Sequence, residues 1–130
     1  MLTDEQRQQL AALARQPRSR QLSEPSQGMP REWCPGVVAS PESGLPLTEP
    51  GAWNLIADLL EGGHPVQEVV LSHPPGKTAY ELLVDFEGAP STLYIKIQFG
   101  AGKIVGRSFH YSTRSGHCGT RYKVTREDPT

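Results

Sequence analysis

The residues best equipped for chemistry gather in one stretch, Thr92–Ser112, which reads TLYIKIQFGAGKIVGRSFHYS. Tyr94, Lys96 and Gln98 alternate there with Leu93, Ile95, Ile97 and Phe99. A period of two predicts a strand with one apolar and one wet face. The wet face then carries a phenol, an ammonium and an amide. Such a set can stack on a base, hold a phosphate and hydrogen-bond a polar edge. An ordinary solvated face is filled with Thr, Glu, Lys or Ser. Gly100-Ala101-Gly102 supplies residues that tolerate positive φ, as a tight hairpin loop requires. A second strand follows, from about Lys103 to Tyr111.

The turn decides which residues join Tyr94 and Lys96. A three-residue loop closed by a Gly102 bulge pairs Phe99 with Lys103, sets Ser108 opposite Tyr94 and puts His110 beyond them on the wet face. A two-residue loop sets Arg107 opposite Tyr94 and turns Val105 and Phe109 to water. The three-residue loop is the expectation. Catalytic candidates are His110, Lys96 and Tyr94, and substrate-binding candidates are Arg107, Gln98, Ser108, Lys77 and Tyr111. An imidazole titrates near neutral pH and can serve as general acid or base, so His110 stands first. Its plain alternative is a strand-end histidine packing on Tyr111. Glu81 and Asp85 share one face of a neighbouring strand. Either can pair with Lys96, or serve as a base for a ribose hydroxyl.

The remaining elements must hold that hairpin in place. Thr3 caps a short first helix, with Asp4 and Glu5 in its first turn and Leu2, Leu10 and Leu13 as a thin apolar stripe to about Arg15. From Gln16 to Pro50 the chain is rich in Pro, Ser, Gly and Arg, and reads as an extended arm anchored by Trp33. That composition predicts little regular structure, and a domain that survives removal of the arm. Thr48 or Glu49 opens a second helix whose Trp53, Ile56, Leu59 and Leu60 lie at helical spacing before Gly62-Gly63. Gln67–Ser72 is a strand and His73–Thr78 a turn. Tyr80–Phe86 is a further strand. The predicted fold is α+β, with N-terminal helices on one face of an antiparallel four-stranded meander sheet. Its parts are residues 1–15, a helix; 16–50, the arm; 51–112, the helix and sheet domain; and 113–130, a basic, poorly ordered tail.

Composition narrows the partners. The chain has 130 residues and a formal net charge of −1. From Gly88 to Arg126 there are seven Lys or Arg (Lys96, Lys103, Arg107, Arg114, Arg121, Lys123 and Arg126) and no acid. A basic block on a strand pair and its exit tail is an electrostatic footprint for a polyanion such as RNA. Cys34 and Cys118 are too few for a disulfide framework, and their pairing stays open. No His or Cys pair has metal-ligand spacing, so neither metal nor cofactor is expected. Gly76-Lys77-Thr78 is no phosphate loop, because Leu71 stands where that motif needs glycine. No leader-like or membrane-length apolar run occurs, so a cytoplasmic protein without membrane association is expected.

Tyr94-Ile95-Lys96-Ile97 followed by Ser108-Phe109-His110 resembles the motility quorum-sensing regulator (MqsR) toxin family, and more broadly the RelE-like messenger-RNA endonucleases of toxin–antitoxin systems. The resemblance covers roughly Gly51–Ser112. It implies a RelE/barnase-like fold, a cognate antitoxin partner and a cleavage site at Tyr94, Lys96 and His110. The family typically has Lys where this chain has His110. The implied activity is metal-independent RNA cleavage by 2′-OH attack. His110 would be base or acid, Lys96 or Arg107 the electrostatic stabiliser, and Tyr94 a stacker or proton donor. The alternative is a non-catalytic RNA- or protein-binding module, with Tyr94 and Tyr111 as stacking platforms.

Overall fold

The computed structural model describes residues 2–22, 32–72, 75–86, 89 and 91–112. The 113–130 tail, and with it Arg114, Arg121, Lys123, Arg126, His117 and Cys118, lies outside the described residues, as does His73.

Both helices begin at sequence-encoded caps. Helix α1 (Asp4–Arg15) opens at Thr3, whose hydroxyl accepts from the Gln6 N–H while Gln6 Oε1 accepts from the Thr3 N–H. This reciprocal cap satisfies two donors that the first turn leaves open. Helix α2 (Glu49–Glu61) opens at Thr48, which accepts from the Gly51 N–H at 3.0 Å. Pro50 sits in its first turn, where no N–H is needed. Gly63, at φ +81°, ends α2 in a conformation that other residues resist. Helix α1 packs on α2 through Leu10, Ala11 and Ala14. Arg15 reaches across to Asp58 at 2.7 Å and Glu61 at 2.8 Å. These side chains are largely exposed, so the clamp adds little stability.

The sheet has six strands: β1 (Arg20–Leu22), β2 (Glu32–Trp33), β3 (Gln67–Ser72), β4 (Pro75–Val84), β5 (Leu93–Gly100) and β6 (Lys103–Tyr111). Strands β3 to β6 follow one another, each antiparallel to the next. The expected purely antiparallel four-stranded sheet is corrected by the arm. Its segments β1 and β2 add one after the other along β6, both parallel to it. The sheet is therefore mixed, with the helices on one face.

Leu82, Val84, Leu93, Ile95, Ile97, Ile104 and Phe109 point to the helices and are buried with Trp53, Ile56 and Leu60. The apolar alternation of β5 therefore faces the core, up to Ile97. Phe99 departs from it at 49% exposure. Val69 on β3 is half-buried.

The arm is built into this core. Trp33 is buried, its ring 4.9 Å from Trp53 and 5.3 Å from Phe109. It lies over Gly106, where an added Cβ would meet the indole at 2.5 Å. Glu49 accepts from both indole N–H groups, Trp33 at 3.0 Å and Trp53 at 2.9 Å. Val38 is fully buried as well. An arm that merely lies on a self-sufficient domain does not describe this packing. Trp33→Ala should cost about 3–5 kcal/mol, and Gly106→Ala about 1–3 kcal/mol by overpacking. Urea unfolding checks both, and a midpoint unchanged in either variant would contradict this account of the core.

Candidate functional site

The face of the sheet turned away from the helices carries the candidate site. Its geometry begins with the hairpin turn. Gly100 pairs with Lys103, so the loop is Ala101-Gly102, and both residues have positive φ, 52° and 75°. Two consecutive left-handed residues make the primed turn that matches strand twist. The loop has two residues, not three. A β-bulge then corrects the register: Ile97 pairs with Gly106 and Lys96 with Ser108, leaving Arg107 as the extra residue. Tyr94 consequently faces His110 rather than Ser108. The bulge restores the parity that keeps Ser108 and His110 on the wet face. It also lets Arg107 join them, where its guanidinium donates to Gln98 Oε1 at 3.2 Å.

Two carboxylates complete the cluster. Glu81 sits opposite Lys96 on β4 and accepts from the Tyr94 hydroxyl at 2.5 Å, with Lys96 Nζ at 4.0 Å. The Lys96 ammonium also lies 5.7 Å from the centre of the Tyr94 ring. Burial, then the Glu81 hydrogen bond, hold the Tyr94 phenol well above its ordinary pKa. Tyr94 is therefore a neutral donor at physiological pH. Glu32 comes from β2, opposite Ser108. Its Oε1 accepts from Ser108 Oγ at 3.4 Å and lies 3.5 Å from His110 Nε2. His110 Nδ1 is 3.0 Å from the Tyr111 carbonyl, which makes Nδ1 the protonated nitrogen of the neutral ring. The His110 and Tyr94 ring centres are 5.4 Å apart, so the Glu32 and Glu81 halves form one continuous constellation.

Tyr94, Lys96, Gln98, Arg107, Ser108 and His110 are thus brought together. Tyr111 is not: it packs against the core, and its hydroxyl accepts from the Ala39 N–H at 3.3 Å. The odd count from Tyr94 through the bulge sends it to the helix side. Lys77 lies in β4 rather than in a turn, exposed and four residues from Glu81, about 13 Å along the strand. Asp85 accepts from Thr92 Oγ1 at 2.6 Å and takes no part. His64, before β3, is half-buried with Nε2 2.7 Å from the Leu83 carbonyl.

Sequence reading missed Glu32. Its one signal was its neighbour: a buried Trp33 in a strand turns the preceding side chain to the opposite face. The basic footprint is only partly described. Lys96 pairs with Glu81 and Lys103 donates to the Arg18 carbonyl at 2.9 Å. Together with Glu32 and Glu81 they make this face one of mixed charge. Among the described residues no group of three or more His, Cys, Asp or Glu side chains is placed to hold a metal ion. Cys34, directly after β2, is disulfide-bonded.

The Tyr94 phenol predicts an alkaline limb of stability. A raised folded pKa favours the neutral form in the fold. That stabilisation is complete below the unfolded value of 10.0 and is lost as pH climbs from there through the raised folded value. Thermal melts between pH 8 and 11.5 should therefore fall more steeply for the wild type than for Tyr94→Phe. Parallel curves would count against a Tyr94–Glu81 bond.

No protein-family model, curated protein or solved structure matches the chain.

Proposed function

We propose that the chain is a toxin-like, metal-independent endoribonuclease with a RelE/barnase-like fold. One observation carries this reading. A single open sheet face joins an imidazole–carboxylate pair, a neutral phenol, an ammonium and a guanidinium: His110 with Glu32, Tyr94 with Glu81, Lys96, and Arg107 beside them. Cleavage by 2′-OH attack needs these types. A base removes the 2′ proton as the 2′-oxygen–phosphorus bond forms. A cation stabilises charge on the phosphorane oxygens. An acid protonates the 5′-oxygen as its bond to phosphorus breaks. The products are a 2′,3′-cyclic phosphate and a 5′-hydroxyl.

Lys96 and Arg107 suit the electrostatic role, and the phenol of Tyr94 suits a donor or stacking role. The Glu32–His110 pair suits proton transfer. A cognate antitoxin covering this face is the partner the reading implies.

The second reading is a non-catalytic RNA- or protein-binding module. It is favoured by the low exposure of His110, 7%, which limits direct contact with a substrate. RNA cleavage assays in EDTA separate the two. The wild type should convert single-stranded RNA to cyclic-phosphate ends. His110→Ala should lose cleavage more than binding, and Lys96→Ala should weaken both, cleavage by about 10²–10³. Binding should fall steeply with salt. RNA that stays intact in vitro and on expression in cells would put the binding module ahead.

A further inference from the structure

We propose that Glu32, delivered by the arm strand β2, is the group that exchanges a proton with the substrate, and that His110 acts behind it as a positioning residue. This rests on the ribonuclease reading of the same face.

Accessibility divides the roles. The His110 side chain is 9% exposed, whereas that of Glu32 is 32% exposed. The imidazole lies beneath the carboxylate. Its Nδ1–H is committed to the Tyr111 carbonyl, which leaves Nε2 directed at Glu32 Oε1. Ser108 Oγ approaches the same oxygen. Two groups of β6 thus orient one carboxylate from one side, as buried partners orient a reacting group.

The proton balance uses two groups of this face. As base, the Glu32 carboxylate takes the 2′-OH proton while the 2′-oxygen bonds phosphorus; the bond from phosphorus to the 5′-oxygen breaks, that oxygen takes the proton of the neutral Tyr94 hydroxyl, and the Glu32 carboxyl proton then returns to the phenolate through solvent. His110 Nε2 lies 3.5 Å from Oε1, a charge contact that steadies the carboxylate. Among the described residues, the titratable and charged groups facing it are Tyr94 and Lys96 on β5, Glu81 on β4 and Arg107 on β6. Tyr94 is a neutral phenol, and Lys96 and Glu81 offset each other. The proton-transfer step therefore depends on Glu32 and the imidazole behind it more than on these neighbours.

The test uses the full chain and a single-stranded RNA oligonucleotide under single-turnover conditions. Glu32→Gln should slow cleavage by about 100-fold or more without weakening RNA binding. Glu32→Asp should recover part of the rate. His110→Asn should cost about tenfold and move the acid limb of the pH profile. A Glu32→Gln rate within threefold of wild type overturns the proposal, as does a greater loss from His110→Asn than from Glu32→Gln. Titration of the His110 ring by NMR, without RNA, reads the pair separately. Neutralising the carboxylate in Glu32→Gln removes stabilisation of the imidazolium, so the His110 pKa should fall. An unchanged value overturns the pair. A wild type that shows the pair by NMR but cleaves no RNA overturns the catalytic role through failure of the ribonuclease reading itself.

Discussion

The structure depends on one carboxylate that serves two indoles. Glu49 accepts from Trp33 and Trp53, whose rings sit side by side in the core. A buried indole N–H left without an acceptor costs about 1–3 kcal/mol, so each Trp needs this partner to be buried where it is. Glu49 is also the first residue of α2, where the helix dipole favours negative charge. The bond therefore couples three things: the start of α2, the packing of α2 on the sheet, and the seating of the arm over Gly106. Seating Trp33 fixes β2 against β6, and the register that follows sets Glu32 opposite Ser108. The position of a candidate catalytic group on one face is thus determined by aromatic packing on the other.

The bulge at Arg107 is the second constraint. The observed Ala101-Gly102 turn alone would pair Tyr94 with Phe109 and turn His110 to the core. One extra residue in β6 reverses that parity below the turn, so His110 faces Tyr94 while Phe109 enters the core at Ile95. Bulges often re-aim side chains beside functional sites. Here the bulge gathers Arg107, Ser108 and His110 on one side of the sheet. The Phe109 ring then contacts Trp33, so the bulge and the Glu49 bridge reinforce each other.

Local signals made part of this legible. The caps Thr3 and Thr48, the apolar period of α2 and the alternation through Leu93, Ile95 and Ile97 each report a residue's immediate neighbours. So does the Glu81–Lys96 pair across β4 and β5. What escaped reading depends on long-range register. Strands of two and three residues between prolines carry no period, so β1 and β2 were invisible, and with them the mixed character of the sheet. The turn length and the bulge were each misjudged, yet their errors cancelled in parity, which is why Ser108 and His110 were placed on the correct face against the wrong partners. Tyr111 was lost for a similar reason: a strand end cannot be assigned a face until the register is known. Glu32 lay in a segment with no visible strand, and only the identity of its neighbour pointed to it.

Charge decides what the face can accept. Lys96 and Arg107 attract phosphate, but Glu32 and Glu81 stand among them and repel it. At about 4 Å a pair of unit charges near a protein surface interacts by about 4 kcal/mol, so the two carboxylates are not a small correction. Lys96 is partly neutralised by Glu81 in the unliganded protein. A phosphate approaching Lys96 must therefore compete with that carboxylate. Under the ribonuclease reading this opposes tight ground-state binding of the scissile phosphate. The repulsion from Glu32 eases once it has taken up the 2′ proton, because its negative charge is then gone while charge builds on the phosphorane oxygens. Interactions that strengthen only as the reaction proceeds are the ones that accelerate it. A purely basic face would bind RNA more tightly without that change. The mixed charge of this face thus suits proton transfer next to a phosphate better than it suits simple capture of a polyanion.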